Sequence, residues 1–245
     1  MNSNNCKTTL KPAAMKKLIT AFFTLLLVAC TTEQEEKAFS IIGDYYGAKV
    51  TSTKGFSSQV GKKNQNYINL YLKGGPYIGV EDSKKLAAYA AVLFYVNLSE
   101  EEVSKYTQIQ VSLFENKTQK DPIYNTTYDV ETLRNIAALS TNFQKAGELL
   151  LNGTPSEIYE LIAEKNRVPG EKEQFESVIE KMKIERSGIK SVKLLGVELL
   201  INNDTKERFL SFNGEVKWGN DTATAMTVRT SEDPKIKGIT NLNIK

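Results

Sequence analysis

The side chains able to do acid–base, nucleophilic or metal chemistry are few. The 245 residues include no histidine and two cysteines, Cys6 and Cys30. Without histidine there is no Ser-His-Asp or Cys-His relay and no histidine zinc site. Carboxylate pairs and Ser-Lys pairs can work without it. The sequence holds no Ser-x-x-Lys with a supporting motif, no Gly-x-Ser-x-Gly, no Walker loop and no Gly-x-Gly-x-x-Gly. Lys73-Gly74-Gly75-Pro76 is too short to cradle a phosphate and reads as a turn. Asn202-Asn203-Asp204 has oxygen ligands but lacks the spaced pattern and distal Glu of a calcium loop, so it reads as a hairpin turn. The residues point away from an enzyme, a metal or a cofactor, and no catalytic residue is assigned.

One of the two cysteines has a defined setting. Lys16 and Lys17 precede an apolar run from Leu18 to Ala29, broken by Thr20 and Thr24. That run is shorter than the roughly 20 residues a membrane span needs and has the layout of a signal peptide. It ends in Leu27-Val28-Ala29-Cys30, which resembles the bacterial lipobox. The resemblance implies removal of residues 1–29 and acylation, with palmitate among the acyl groups, of Cys30 as the first mature residue. It makes Met15 the start, with residues 1–14 an over-extended gene start or a long n-region. Of the 32 basic residues, Lys7, Lys11, Lys16 and Lys17 precede Cys30, against none of the 29 acidic ones. The remainder is close to neutral, which argues against a nucleic-acid partner. Residues 30–37 read as a lipidated polar tether. The acidic cluster within them resembles the surface-export signal of Bacteroidota lipoproteins, and residue 32 is Thr rather than a retention Asp. The expectation is an outer-membrane lipid anchor, facing the periplasm or the cell surface.

The elements that would position any site fall into two groups. Residues 38–128 read as a small α+β domain, with residues 38–80 β-rich. Tyr67 to Leu72 alternate, with Ile68, Leu70 and Leu72 on the apolar side. Leu86 to Val96 is apolar throughout; its alanines favour helix, while Val92 to Val96 would also suit a strand. Ser99 to Glu102 reads as a capping box. Ile109, Val111 and Leu113 give a second strand, with Ile123–Tyr128 as partner. Residues 129–245 read as a helical hairpin plus curved sheet domain. Leu133, Ile136, Ala137, Phe143, Ala146, Leu149 and Leu150 form a helical stripe. Thr154-Pro155-Ser156-Glu157 is a capping box with proline at N1, predicting a helix over 155–164. Glu171–Arg186 forms another helix. Ile189–Ile201, Glu207–Trp218, Thr222–Thr230 and Ile236–Ile244 read as strands, with a tight turn or a bulge at Asn213-Gly214.

The fold class is therefore α+β, a mixed domain followed by helices and then an antiparallel sheet. In that order of elements, residues 140–245 resemble the nuclear-transport-factor-two-like, or cystatin-like, superfamily, above all its small secreted bacterial members. The resemblance implies a cone-shaped sheet curled around a helix, enclosing an apolar cavity. Its catalytic members use Asp or His in that cavity. This chain has no His, Asp204 and Asp221 fall at turns, and no such position carries over. A cavity would use Tyr159, Phe175, Phe209, Phe212, Trp218 and Met226, with Arg208 or Arg229 as a polar handle. The other reading is that these side chains fill a core. Tyr45, Tyr46, Tyr67, Tyr71 and Tyr77 likewise read as an aromatic surface or as packing. Asp221-Thr222-Ala223 matches the Bacteroidota O-glycosylation pattern at Thr222. The function expected is a non-catalytic envelope lipoprotein acting as a binding or protein-interaction module, with an envelope protein as candidate partner. The alternatives are a carrier of a small apolar ligand and a carboxylate-dependent hydrolase.

Overall fold

Leu86 to Tyr95 are buried without exception, so the element they form has no side for water. They lie in a helix, α2 (Ser83–Val96), which remains helical through the valines. Asp82 caps it, its carboxylate accepting from the N–H groups of Lys84 and Lys85. A helix that is apolar all round must be enclosed by other elements. The computed structural model describes residues 31–58 and 65–245. The expected signal peptide, the start at Met15 and the acylated Cys30 lie outside the described residues.

The elements around α2 are α1 (Glu33–Tyr46), β1 (Lys49–Ser57), β2 (Gln65–Lys73), α3 (Glu100–Val103), β3 (Gln108–Phe114) and β4 (Tyr124–Asp129). The strands form a sheet in the order β1-β2-β3-β4. β2 and β3 run parallel, with α2 and α3 in the crossover, and the outer pairs are antiparallel. Ile68, Leu70 and Leu72 stand opposite Ile109, Val111 and Leu113, and all six are buried. α1 lies against α2, where Phe39 and Phe94 stack with ring centroids 5.6 Å apart. Residues 38–46, expected as β-rich, are helical, and so are Glu33–Lys37 of the expected tether. Ala38, Ile42 and Tyr46, one helical turn apart, are buried, as is Glu35. The acidic residues of the first turn suit a helix N-terminus, and the buried stripe fixes the helix in the fold.

The second half comprises α4 (Val130–Asn152), α5 (Pro155–Glu160), a 3₁₀ turn (Glu164–Asn166), α6 (Lys172–Glu185), β5 (Ile189–Ile201), β6 (Arg208–Trp218), β7 (Ala223–Ser231) and β8 (Asn241–Ile244). Its four strands form an antiparallel meander. Among the described residues the chain is thus α+β, with one mixed and one antiparallel sheet. Both arms of the capping box at Thr154 form. The helix it starts ends at Glu160 rather than 164, because the next residues pair with another strand segment. Ala163 N–H donates to Ile239 O at 2.8 Å, and Ile239 N–H to Leu161 O at 2.9 Å. That pairing also takes Ile239 out of β8, which begins at Asn241 instead of Ile236. At Asp129, β4 passes directly into α4, with Asp129 as the N-cap residue. Residues 33–245 form one compact unit, and the buried side chains of both sheets belong to one core.

The irregularity expected at Asn213-Gly214 falls on the facing strand. β6 runs straight through, and the register slips on β5 between Leu194 and Gly196. Two carbonyls at the slip are taken up by α1: Tyr45 OH donates to Leu194 O, and Tyr46 OH to Leu195 O at 3.1 Å. Gly196 lies against the backbone of α2. A Cβ there would sit 2.7 Å from Lys85 Cβ and 2.8 Å from its carbonyl carbon. Gly196→Ala is therefore expected to push β5 off α2 and cost about 1–3 kcal/mol. Urea unfolding followed by circular dichroism checks this; a wild-type midpoint would contradict the close approach.

Burial raises the phenols of Tyr45, Tyr46, Tyr89, Tyr106 and Tyr128 above their ordinary value. A phenol raised in the folded state stabilises fully below its unfolded value of about 10. Above that value the unfolded chain loses its proton first and the contribution fades. An alkaline titration read at the phenolate band should therefore show two steps. Exposed tyrosines ionise first, and the rest ionise together with loss of the helix signal. A single step with the fold intact would refute this packing.

Candidate functional site

Two of the residues expected to line a cavity come together on the outside of the second half. Pro169 and Gly170, the latter with φ +83°, reverse the chain between α5 and α6. This brings Phe175 to Tyr159, with ring centroids 5.6 Å apart. Both line a groove of about 400 Å³ between α6 and the edge of the second sheet, with Ile162, Val168, Val178 and Leu242. A narrower extension of about 170 Å³ continues past Met182 and Ile244. Polar contacts fix the walls. Tyr159 OH donates to Val168 O at 3.3 Å, and Asn166 Nδ2 to Thr240 O at 3.1 Å. Glu160 binds Lys172 at 2.9 Å and Arg167 at 2.7 Å, tying α5 to the start of α6. The hydrogen bond from Lys172 holds the Glu160 carboxyl below the usual range.

The strand beside this groove is a sheet edge. β8 pairs with β7 on one side, and Lys245 N–H donates to Ala225 O at 3.1 Å. Residues 245, 243 and 241 therefore direct their main-chain groups toward β7, and Leu242 and Ile244 direct theirs outward. Open main-chain donors and acceptors thus border a groove with aromatic, aliphatic and polar walls, an arrangement that accepts an extended chain.

The other expected residues lie elsewhere. Phe212 and Met226 are fully buried on the inner face of the sheet, among Phe143, Val216 and Val228. Trp218 is also buried, its indole N–H donating to Thr224 Oγ1 at 2.9 Å under the Arg186 guanidinium. Phe209 alternates with Phe212 and points to the opposite face of β6, facing Leu200 and Ser231. Arg208 is exposed and ion-paired with Glu232 at 2.7 Å. Arg229 is exposed on the face shared with Ser211 and Asn241. Six of the eight are therefore outside the groove. Ile162, Val168, Val178 and Leu242, which the sequence did not assign to a cavity, line it too, with Asn166, Glu171, Gln174, Thr240 and Asn241. The four apolar residues come from four separate segments; Ile162 and Val178 were legible only as parts of apolar helix faces.

A second groove of about 290 Å³ lies where the start of α2 meets β5, β6 and β7. Glu81, Asp82, Lys85, Asn213, Glu215 and Thr227 line it. Asp82 is occupied by its capping bonds, and Lys85 lies 3.4 Å from Glu198. Tyr77 adjoins it, its phenol raised by burial and by the charges of Glu215 and Glu81. The Lys193 ammonium lies 4.5 Å from the ring centres of Tyr45 and Tyr77 and donates to Tyr45 O at 2.5 Å. Burial holds that ammonium below its ordinary value. This cluster fastens the end of α1 to β5, so Tyr45, Tyr46 and Tyr77 pack rather than form an open aromatic face.

Thr222 is exposed in the β6–β7 turn, its hydroxyl donating to Asn220 Oδ1 at 2.6 Å. Among the described residues no three His, Cys, Asp or Glu side chains are grouped to hold a metal ion, and no helix is long and apolar enough to cross a membrane. No family model, curated protein or solved structure matches this chain.

Proposed function

We propose that this chain is a lipid-anchored, non-catalytic binding protein of the bacterial outer membrane, holding an extended segment of a protein partner between α6 and β8. The observation that carries the reading is the groove in which Tyr159, Phe175, Val178 and Leu242 stand among Asn166, Glu171, Gln174 and Thr240, beside the open edge of β8. The Leu27-Val28-Ala29-Cys30 sequence behind a short apolar run supports the anchor. The order of a long helix, a capped helix, a third helix and a four-stranded meander supports placing residues 140–245 with the nuclear-transport-factor-two-like cones. In this member Phe143, Phe212 and Met226 occupy the interior. That favours binding at the rim over carriage of an apolar ligand inside. The exposed turn position of Thr222 suits an O-linked glycan.

Two measurements test the reading. Cells fed radiolabelled palmitate should label the wild-type chain and not Cys30→Ala; equal labelling would remove the anchor. A photo-crosslinking residue in place of Val178 should trap a partner in intact cells. Phe175→Ala should weaken that capture about tenfold, the usual effect of truncating a central aromatic anchor. Undiminished capture would move the binding surface away from this groove.

A further inference from the structure

The end of the body nearest Cys30 has a composition of its own. α1 begins at Glu33, so the intervening chain reaches at most about 10 Å when fully extended. Fraying of the first turn would lengthen that reach, and a buried polar contact opposes it. Glu35 is 0 % exposed, lies 2.7 Å from Lys54 Nζ and accepts from Tyr106 OH. Gln34 Oε1 accepts from Ser99 N–H at 2.9 Å.

The same contacts identify the neighbours. β1 returns alongside α1, which brings Lys54 to Glu35. Phe56, two residues further and on the same strand face, is 59 % exposed. Val96 ends α2 beside the Ser99–Gln34 contact and is 51 % exposed. Exposed charges of both signs share this end: Glu33, Glu36, Glu100 and Glu101 with Lys37, Lys105 and Arg134, the last 3.9 Å from Glu100.

We infer that this end of the body is a bilayer-contact surface, with Phe56 and Val96 entering the headgroup layer of a zwitterionic membrane; the inference rests on Cys30 carrying the lipid. The short tether keeps the surface at high effective concentration against the bilayer, so two apolar side chains suffice where a free protein would need more. The charges at this end are interspersed and partly paired, so the surface has no basic field to recruit anionic headgroups.

The far end of the body supplies a control. Arg134, in the first turns of α4, donates from Nε to Tyr95 OH at 3.2 Å, beside the anchor end. The 23 residues of α4 then cover about 34 Å to Gly153, whose carbonyl accepts from Lys183 at 3.3 Å. Ile184, exposed, is next to Lys183.

In the processed chain Cys30 is the sole cysteine, so it can be coupled to a maleimide headgroup lipid in phosphatidylcholine vesicles with brominated acyl chains. Trp218 is the one native tryptophan and is buried, giving a constant background. Phe56→Trp and Val96→Trp should each lose about half of their added fluorescence relative to unbrominated vesicles, as expected at the headgroup–acyl boundary. Ile184→Trp should lose none. Substituting much of the lipid with phosphatidylglycerol should leave the quenching at positions 56 and 96 unchanged. Equal signals from positions 56, 96 and 184, or quenching that rises with anionic lipid, would overturn the inference. Because the coupling is chemical, such a result would speak against the surface and leave acylation in cells to the palmitate experiment.

Discussion

A helix whose every side is apolar cannot rest on one face of one sheet, and α2 is such a helix. β3 and β4 of the first sheet cover part of it; α1, α4 and β5 cover the rest. Alanines at 87, 88, 90 and 91 let these neighbours close in, and Gly196 lets β5 approach its backbone. The sheets are thereby tied through one shared element, although they come from different halves of the chain. Burying an apolar side chain contributes roughly 1.5–3 kcal/mol, so α2 outweighs any single polar contact in the molecule.

Close packing of β5 on α2 has a local consequence. The register slip on β5 leaves Leu195 without a ladder partner beside Leu194, and unpaired carbonyls in the interior are costly. Tyr45 and Tyr46 supply the donors, and Lys193 returns a bond to the last turn of α1, where helix carbonyls lack partners. α1 is thus held at its far end by the second sheet and at its near end by Glu35. The strip of tyrosines that could have served as a sticky surface is used to close the fold.

How much of this could be read beforehand depended on whether one segment held the whole signal. Strands β2 and β3 alternate cleanly, and both put their apolar residues into the core as expected. The box at Thr154 needs four consecutive residues and formed in full. At Ser99 only one arm appears: Ser99 Oγ accepts from Glu102 N–H, while the Glu102 carboxylate binds Lys105. α1 was hidden because Ile41, Ile42, Tyr45 and Tyr46 favour strand locally and Glu33 to Lys37 look like tether. Only Glu35, buried against groups 19 and 71 residues away in sequence, reveals the helix start. The parallel β2–β3 pairing and the Ile162–Ile239 bridge were equally illegible, since neither leaves a local pattern. The groove shares that problem. Tyr159 and Phe175 were singled out, but their aromatic companions Phe209, Phe212 and Trp218 were separated from them by strand alternation.

The filled interior also bears on where a partner can sit. α2 occupies the space between the halves, and Phe143, Phe212 and Met226 fill the inner face of the second sheet. What remains are the seams where short elements end. β8 has four residues and α6 buries only Ile179 fully, so the seam between them stays open. α5 follows directly on Gly153, the end of α4 opposite the contacts with Tyr95. With Cys30 acylated, the groove is therefore carried at the end of α4 remote from the bilayer. On the proposed anchoring, a body tethered by one end and grooved near the other would leave the groove unobstructed by the lipid.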